Sequence, residues 1–393
     1  MIRPVVVVIG YNRIESLRRL LEAISGAHYQ YNDIRLIISL DGGASQNVID
    51  LANDFDWKYG KKEVVTHDIN LGLRKHIIEC GNYSVMYDAA IVFEDDILPS
   101  PYYYDYATSA VNYYDKEKKV FAISLYSISW IGYCKGEFIP VLTEYDAYFA
   151  QMESSWGECF IGKQWKNFEQ WYRENENKLE YNKEVPLEIQ NWKNSYCKYI
   201  AYYLIEKDLY YVTPYISLTT NCGDAGTHVK IKSTAYQVPM MMGKKEYKFP
   251  YYGEAQKYDM FYNNIDIKKY LAKTCRIAEK ELCLDYYGIR RDYTGYKYCL
   301  STRKLKYHCI KSFGKILRPW EQNIFCNING SSIYLYDLTR RSNVRKRTII
   351  SDVEYDLKEI SVKKIFIFGF VYKPYVTVCK IIMKVKKILK KLR

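Results

Sequence analysis

Three consecutive carboxylates, Glu94, Asp95 and Asp96, form the segment of this sequence best suited to chemistry. They follow the apolar run 89–93, which predicts that they lie at the end of a buried strand. Their mutual repulsion raises the cost of ionising all three, and a divalent cation would remove that cost. Oxygen ligands suit Mg²⁺ or Mn²⁺, which water and substrate phosphates commonly help to coordinate. The triplet therefore predicts a metal–diphosphate site, and the alternative is a solvated or helix-capping turn before Ser100.

Polar residues also follow the three earlier strands predicted for the N-terminal quarter. Apolar runs of strand length alternate there with helical periodicity, a pattern typical of a mostly parallel sheet with helices on both faces. Ligands of such sheets bind beyond the carboxyl ends of the strands. Because strand-end loops are commonly polar, each of these residues alone carries little weight. The candidates are Tyr11, Asn12, Arg13, Asp41, His67 and Asn70.

Composition and motif searches exclude several classes of protein. With 393 residues, 48% of them hydrophobic and 26% charged, the chain is neither disordered, collagen-like nor a disulfide-rich mini-protein. Eleven scattered cysteines without a CxxC pair argue against a zinc ribbon and for a reducing compartment. The sequence contains neither GxGxxG after the first strand nor GxxxxGK[ST], so neither a dinucleotide fold nor a P-loop is supported. We find no signal-peptide pattern and no long apolar span, and we expect a cytoplasmic protein.

The positive charge is concentrated at the end of the chain. Residues 363–393 hold ten Lys or Arg and no acid, and they account for most of the net charge of +13. Apolar residues from Val378 to Leu392 recur at helical spacing between lysines, which predicts a basic amphipathic tail on an anionic membrane surface. The alternative is a tail docked on the protein or free in solution. We expect Pro374 to end or bend any helix begun before it, and we expect no nucleic-acid binding.

The chain resembles GT-A-fold nucleotide-sugar glycosyltransferases, and in particular the family of N-acetylglucosaminyltransferase I and its bacterial relatives. The resemblance implies a GT-A-type α/β fold and covers about residues 4–228; nothing after about residue 250 takes part in it. It rests on an ordered series of motifs: VVVVIGYNR (5–13), LRRL (17–20), SLDGG (39–43), HDINLGL (67–73), VFEDD (92–96), PSP (99–101), SWG (155–157) and TPYISLTTNCGDAGTH (213–228).

The resemblance implies a role for the residues that follow the first three strands. Arg13 would contact the donor nucleotide, and Asp41 would bind its uracil–ribose part. His67 and Asn70 would lie in a loop that closes over the nucleotide, with Arg74 near enough to pair with a phosphate. Without the resemblance, the arginines would be ordinary helix-face charges and His67 a strand-end histidine bonded to backbone.

The resemblance also implies how the triplet divides its work. Asp96 would be the direct metal ligand, whereas Glu94 and Asp95 would be oriented towards the sugar and the ribose. Asp224 and His228 would lie in a loop near the donor. Asp224 would have a role at the acceptor, and His228 would be a second contact to the metal or to the pyrophosphate. An ordinary loop histidine is the alternative for His228.

Enzymes of this kind are inverting, so a carboxylate deprotonates the acceptor hydroxyl while the metal neutralises the departing UDP. We assign the base to Glu153, just before the SWG segment. The family carries its aspartate a few residues upstream, which leaves Asp146 as the alternative and a structural Glu153 open. Trp156 is a candidate acceptor platform because sugar C–H faces pack on aromatic rings, and burial in the core is its alternative.

We therefore predict a catalytic domain at 1–250, with a nucleotide-binding half (1–115) and an acceptor half (116–250). An α-rich or mixed appendage of unknown role would occupy 251–362, and the basic amphipathic tail would occupy 363–393.

The predicted function is metal-dependent, inverting transfer of N-acetylglucosamine or a related hexose from a UDP-sugar. The acceptor would be a glycan or lipid-linked glycan at the inner face of the cell membrane, in synthesis of a bacterial surface polysaccharide. A sugar nucleotidyltransferase is one alternative, disfavoured by the single glycine after the first strand. A non-catalytic membrane-surface scaffold is another, disfavoured by the intact acidic triplet.

Overall fold

A computed structural model describes residues 1–153, 155–224, 234–343, 361–375, 377–378 and 381–382. The chain divides into two compact units, Met1–Val344 and Arg345–Arg393. His228 and the part of the tail from Val385 to Leu392 lie outside the described residues.

The strands and helices of the first unit alternate along its N-terminal part. The strands are β1 (Val5–Gly10), β2 (Leu36–Leu40), β3 (Lys62–Thr66), β4 (Ala89–Glu94), β5 (Ile97–Pro99), β6 (Val120–Ser124), β7 (Trp130–Ile131), β8 (Gly136–Glu137), β9 (Ala147–Ala150), β10 (Glu158–Ile161), β11 (Tyr210–Pro214), β12 (Thr219–Asn221), β13 (Lys257–Tyr258), β14 (Leu282–Asp285), β15 (Tyr298–Ser301), β16 (Tyr307–Phe313) and β17 (Ile333–Arg341). The helices are α1 (Ile14–Ser25), α2 (Gln46–Asp54), α3 (Gly72–Gly81), α4 (Tyr83–Met86), α5 (Tyr103–Tyr113), α6 (Gly162–Asn175), α7 (Leu187–Gln190), α8 (Tyr196–Lys207), α9 (Asp266–Cys275) and α10 (Trp320–Phe325).

Among the described residues, nine strands form one sheet in the order β13-β9-β11-β6-β10-β4-β1-β2-β3. The strands β3, β2, β1 and β4 are parallel to one another, whereas β10 is antiparallel to both of its neighbours, β4 and β6. The pair β11–β6 is parallel, and so is the pair β13–β9. The expected α/β class with a mainly parallel central sheet is confirmed.

Helices cover both faces because alternate residues of the strands point to opposite sides. Val5 and Val7 of β1 belong to one apolar cluster with residues of α3, α6 and α8. Val6 and Val8 belong to the other, with residues of α1, α2 and α5. This two-sided burial explains why β1 is an uninterrupted run of β-branched residues rather than an alternating one. Leu17, Leu20, Leu21 and Ile24 recur at the helical spacing i, i+3, i+4 and i+7, which predicts a helix with one apolar face, and all four are buried in α1.

The chain reverses its direction of travel across the sheet next to β1. From β1 it proceeds outward to β2 and β3, and it then returns to the other side of β1 as β4. Ile9 is paired with Glu94, so the loop after β1 and the acidic triplet leave the sheet side by side. Such a reversal opens a crevice at the carboxyl ends of the two strands.

The region after residue 250 is mixed rather than α-rich. Within the described residues, β13 joins the edge of the central sheet, and the later strands form a four-stranded sheet in the order β14-β15-β17-β16, accompanied by α9 and α10. Leu284, Leu300 and Ile333 of this sheet join the same apolar cluster as Val5 and Val7. The region therefore belongs to the first compact unit, while the finer domain boundaries stay a prediction.

The second unit begins its described part with a helix, α11 (Val362–Phe366), which continues as a wider π-type turn at Ile367–Tyr372. Pro374 follows directly and lies in backbone that is again helical. A proline has no N–H to donate to the preceding turn, and a wider turn is one way to accommodate it. No helix among the described residues is long and apolar enough to cross a membrane.

Candidate active site at the carboxyl ends of β1 and β4

The acidic triplet lies where β4 leaves the sheet, and its carboxylates differ in exposure. Asp95 is buried, with a side chain only 6% exposed, whereas the side chain of Asp96 is 18% exposed and Glu94 is half-buried. Burial and the nearby charges of Asp96 and Asp95 raise the pKa of Glu94 to about 8. Burial also raises the pKa of Asp95 to about 6, against the opposing effect of Arg13. The repulsion expected from the sequence therefore operates in the folded protein.

Arg13 links the end of β1 to the triplet. Its Nη1 donates to Asp96 Oδ2 over 3.0 Å, and its Nη2 pairs with Asp95 Oδ1. A guanidinium has a fork of donors suited to two oxygen acceptors at once. In the part of the chain that the structure describes, Arg13 is the cation paired directly with the triplet, and one guanidinium beside three carboxyl groups leaves a surplus of negative charge unless some of the acids are protonated.

The number of carboxylates available indicates which kind of metal site these residues fit. No group of three or more His, Cys, Asp or Glu within the described residues is arranged to hold a metal ion by itself. Magnesium-type sites commonly use one or two carboxylates and complete the shell with water and substrate phosphates. Asp96, which is more exposed than Asp95, fits a site of that shared kind.

Asp41 lies at the end of β2 and accepts three backbone hydrogen bonds. Its Oδ1 accepts from the N–H groups of Gly42 (2.8 Å) and Leu71 (2.7 Å), and its Oδ2 accepts from Gly72 (3.1 Å). Asn70 adds a hydrogen bond from Nδ2 to the Gly42 carbonyl (3.1 Å). A carboxylate at the start of α3 satisfies N–H groups that have no partner within the helix. The residue expected to bind the nucleotide thus also holds two strand-end loops together.

These loops approach so closely that residue 42 must be glycine. A Cβ atom there would lie 2.0 Å from the carbonyl carbon of Ile69. Asn12 anchors the same region, because its Oδ1 accepts from the Ser45 N–H over 2.8 Å. Tyr11 is 42% exposed beside this loop. The expected donor residues Tyr11, Asn12, Asp41 and Asn70 therefore belong to one connected group of loops.

His67 lies at the end of β3, and its Nε2 is 3.3 Å from Ser39 Oγ. The neighbouring His76 is buried, with its ring centroid 5.0 Å from that of His67. Burial lowers the pKa of His76 to about 4, so this second imidazole is neutral at physiological pH. Ser39 contacts both rings and fixes their positions.

Two expected site residues are engaged elsewhere in the structure. Arg74 donates to Tyr199 Oη (3.1 Å) and to Glu176 Oε1 (3.3 Å), which joins α3 to α8 and to the end of α6. Asp146 accepts from the backbone N–H of Lys248 over 2.8 Å. A phosphate contact for Arg74 and a catalytic role for Asp146 stay predictions, and both would require these contacts to be given up or shared.

Glu158 is a buried acid that the sequence analysis did not select. It opens β10, is 2% exposed, and accepts from Tyr211 Oη (2.7 Å) and Tyr196 Oη (3.1 Å). Burial, with added repulsion from Glu153 and Glu94, raises its pKa well above the ordinary range despite these hydrogen bonds. A charged residue inside a four-residue strand of otherwise apolar type was the available sequence signal.

Glu153, the expected base, is half-buried between β9 and β10. Burial raises its pKa to about 7, while a hydrogen bond with Cys197 acts in the opposite direction. Its charge acts on both Glu94 and Glu158, so the three acids lie within electrostatic range of one another. A small cavity beside it is lined by Tyr133, Met152, Glu153, Ile189, Met260 and Tyr262.

The Trp-Gly segment packs directly against the strand that carries the triplet. Trp156 is half-buried, with its ring 4.7 Å from the rings of both Tyr126 and Tyr236. Gly157 has φ = +101°, and a Cβ atom there would lie 3.2 Å from the ring of Phe93. Glycine is therefore required where this segment approaches the end of β4.

Asp224 is tied to the start of α1. It accepts from Ser16 Oγ over 2.8 Å and pairs with Arg19. Burial acts to raise the pKa of Asp224, but the hydrogen bonds from Arg19 and Ser16 outweigh it and hold the pKa below its ordinary value. The acceptor role expected for Asp224 stays a prediction, as does the role of His228, which lies outside the described residues.

Comparisons with known proteins give similarity at the level of overall structure. No protein-family profile and no curated protein sequence matches the chain. The mannosyltransferase PcManGT from Pyrobaculum calidifontis, solved with GDP-Man and Mn²⁺, is similar with 12% identity and a TM-score of 0.35, over 54% of this chain and 55% of that one. S. aureus TarS 1–349 with UDP-GlcNAc is similar with 9% identity and a TM-score of 0.34, over 62% and 60%. The chain thus spans little more than half the length of these structures.

Replacing Asp41 by Ala should lower the free energy of unfolding by about 1–3 kcal/mol, because three backbone N–H groups lose a buried acceptor. Asp41→Asn keeps one acceptor oxygen and should lose less. Urea unfolding measures both changes. The exposed Asp68→Ala is the matched control, and an Asp41→Ala protein as stable as this control would show that the carboxylate does not stabilise the loops.

The raised pKa of Glu153 predicts a pH dependence of stability. A carboxyl with a folded-state pKa of about 7 and an ordinary value of 4.5 binds its proton more tightly in the folded protein. The folded state therefore loses stability as pH rises between these two values. The slope of unfolding free energy against pH reports the difference in bound protons between the folded and unfolded states, and Glu153→Gln should reduce that difference by up to about one proton. Urea unfolding at several pH values measures the slope. Glu22→Gln, at an exposed position, should leave the slope unchanged; equal slopes for both variants would contradict the assignment.

Proposed function

We propose that this protein is a nucleotide-sugar glycosyltransferase whose donor diphosphate binds between the carboxyl ends of β1 and β4. The observation that carries the proposal is the cluster of Arg13 with Asp95 and Asp96, located where the strand order reverses. Ligands of open α/β sheets bind at that position. A guanidinium next to carboxylates offers a donor fork for phosphate oxygens and an oxygen ligand for a divalent cation.

The donor would be a UDP-sugar carrying N-acetylglucosamine or a related hexose. Asp41, His67 and Asn70 would surround the nucleotide, in loops whose positions are already fixed by hydrogen bonds. Asp96 would hold Mn²⁺ or Mg²⁺ together with the diphosphate. Such a cation supplies Lewis-acid stabilisation of the departing nucleoside diphosphate.

Glu153 would act as the general base. Its pKa of about 7 suits this role, because a base is most effective when its pKa is close to the working pH. The carboxylate would take the proton of an acceptor hydroxyl, and the hydroxyl oxygen would attack the anomeric carbon of the donor. The bond from that carbon to the diphosphate oxygen breaks, and its electron pair leaves with UDP. Attack opposite the leaving group inverts the anomeric centre, and Trp156 would support the acceptor.

The acceptor would be a glycan or lipid-linked glycan, reached by attachment to an anionic membrane surface. The support comes from the second unit, where the apolar side chains of the described residues are 43–73% exposed. They lie among lysines, which attract anionic lipids while aromatic and aliphatic groups enter the interface. The exposed residues are Ile365, Phe366, Ile367, Phe368, Phe370, Val371, Tyr372, Tyr375, Val378, Ile381 and Ile382. A role in bacterial surface polysaccharide synthesis would follow.

Binding of the donor should raise the thermal midpoint of the protein. Ligand at about a hundred times Kd adds about 2.7 kcal/mol of apparent stability. A panel of UDP-, GDP-, CMP- and dTDP-sugars, each with Mn²⁺ and with EDTA, should show a manganese-dependent shift for the UDP-sugars. Asp96→Asn should abolish this shift, whereas Asp56→Asn, at an exposed position between α2 and β3, should keep it.

If no sugar nucleotide shifts the thermal midpoint, the proposed donor site is wrong. An undiminished shift in Asp96→Asn would remove the metal assignment alone. Release of pyrophosphate from a nucleoside triphosphate and a sugar phosphate would identify a sugar nucleotidyltransferase instead.

Membrane attachment predicts that the protein sediments with vesicles of anionic lipid, and that deletion of residues 364–393 abolishes sedimentation. Replacing Phe366, Phe368 and Phe370 by Ser should weaken binding at every salt concentration, because the apolar contribution is lost. Replacing Lys363, Lys364 and Lys373 by Gln should weaken it mainly at low salt. If the deleted protein still sediments, the tail is not the anchor; neutral vesicles control for apolar binding alone.

A further inference from the structure

The guanidinium of Arg13 is bound to the same carboxylate that would hold a cation on Asp96. Nη1 of Arg13 is 3.0 Å from Oδ2 of Asp96, and the other arm of the fork is on Asp95. Arg13 lies at the start of α1, where its carbonyl accepts from the Leu17 N–H over 2.9 Å. Its backbone is thus anchored, while its side chain, 29% exposed, reaches across to the neighbouring strand end.

The nearby Arg19 is not the residue that pairs with Asp96 in the structure. Its charge also acts on Asp96, but its guanidinium is paired with Asp224. Asp224 is further held by Ser16, on the same helix as Arg19. The direct countercharge on Asp96 is therefore the fork of Arg13.

We propose that Arg13 and the divalent cation compete for Asp96, so that the cation binds tightly only together with the diphosphate of the donor. This inference rests on the proposed function, because it takes Asp96 as the cation ligand. Two cations on one carboxylate oxygen repel each other, which weakens binding of the metal alone. A diphosphate offers Arg13 a new pair of acceptor oxygens, and guanidinium–phosphate pairing is frequently bidentate.

The consequence is a coupling between the two ligands. When the diphosphate draws Arg13 away from Asp96, the affinity for the cation rises. By linkage, the cation must raise the affinity for the diphosphate by the same factor. Arg13 would thus be a positioning residue that partly compensates the charge of the acidic triplet until donor and metal arrive together.

The test measures Mn²⁺ binding directly, from the electron paramagnetic resonance signal of free Mn²⁺, on the full-length protein with and without UDP. Arg13→Gln should bind Mn²⁺ without nucleotide about tenfold more tightly than the unmodified protein, because a charge-assisted competitor is removed. UDP should strengthen Mn²⁺ binding in the unmodified protein and do so much less in Arg13→Gln. Arg13→Lys, which keeps the charge but loses the fork, should fall between them.

Arg18→Gln is the matched control, because it removes the same charge from an exposed position of α1. Adding Asp96→Asn to Arg13→Gln should abolish the gain, which assigns it to that carboxylate. A gain no larger than that of Arg18→Gln, or UDP coupling of equal size in Arg13→Gln and the unmodified protein, would overturn the proposal. If the unmodified protein binds no UDP, the proposed function fails; the comparison of Arg13→Gln with Arg18→Gln in Mn²⁺ alone still decides the competition.

Discussion

The organisation of this protein depends on three acidic side chains placed at the end of a buried strand. β4 is covered on both faces, so its carboxyl end delivers the triplet into a crevice where water screens charge poorly. Burial and mutual repulsion raise the pKa of Glu94 and of Asp95, and one arginine is the direct countercharge. A site with surplus negative charge and one arginine bound across it is suited to ligands that bring their own cation.

The loops around this crevice are rigid because the groups suited to ligand binding also hold the backbone. Asp41 accepts three backbone hydrogen bonds, and Asn12 and Asn70 connect the loops after β1, β2 and β3. A preorganised site loses less entropy when a ligand binds. The same arrangement means that a substitution at Asp41 changes stability as well as any contact with a nucleotide, so the two effects have to be measured separately.

Apolar residues are buried in the first unit and exposed in the described part of the second unit. Val5–Ile9 is buried on both sides by helices, whereas Ile365–Tyr372 is helical and carries its large apolar side chains exposed. An exposed apolar surface of this size is unusual on a protein that binds nothing there, and it is the basis of the membrane attachment proposed above. The lysines beside it favour an anionic lipid surface as its partner.

The sequence by itself determined the α/β class, the strand before the triplet, the apolar stripe of α1 and the place of the triplet at a strand end. These features depend on local periodicity and on residues close in the chain. Tertiary structure decided which charges meet: Arg13 lies 83 residues from Asp96, and their contact exists only because β1 and β4 are neighbours in the sheet. It also decided that Arg74 faces Glu176, and that Glu158 is buried beneath two tyrosine hydroxyls. Side-chain partners across a sheet or between helices depend on packing of distant segments, which no local pattern encodes.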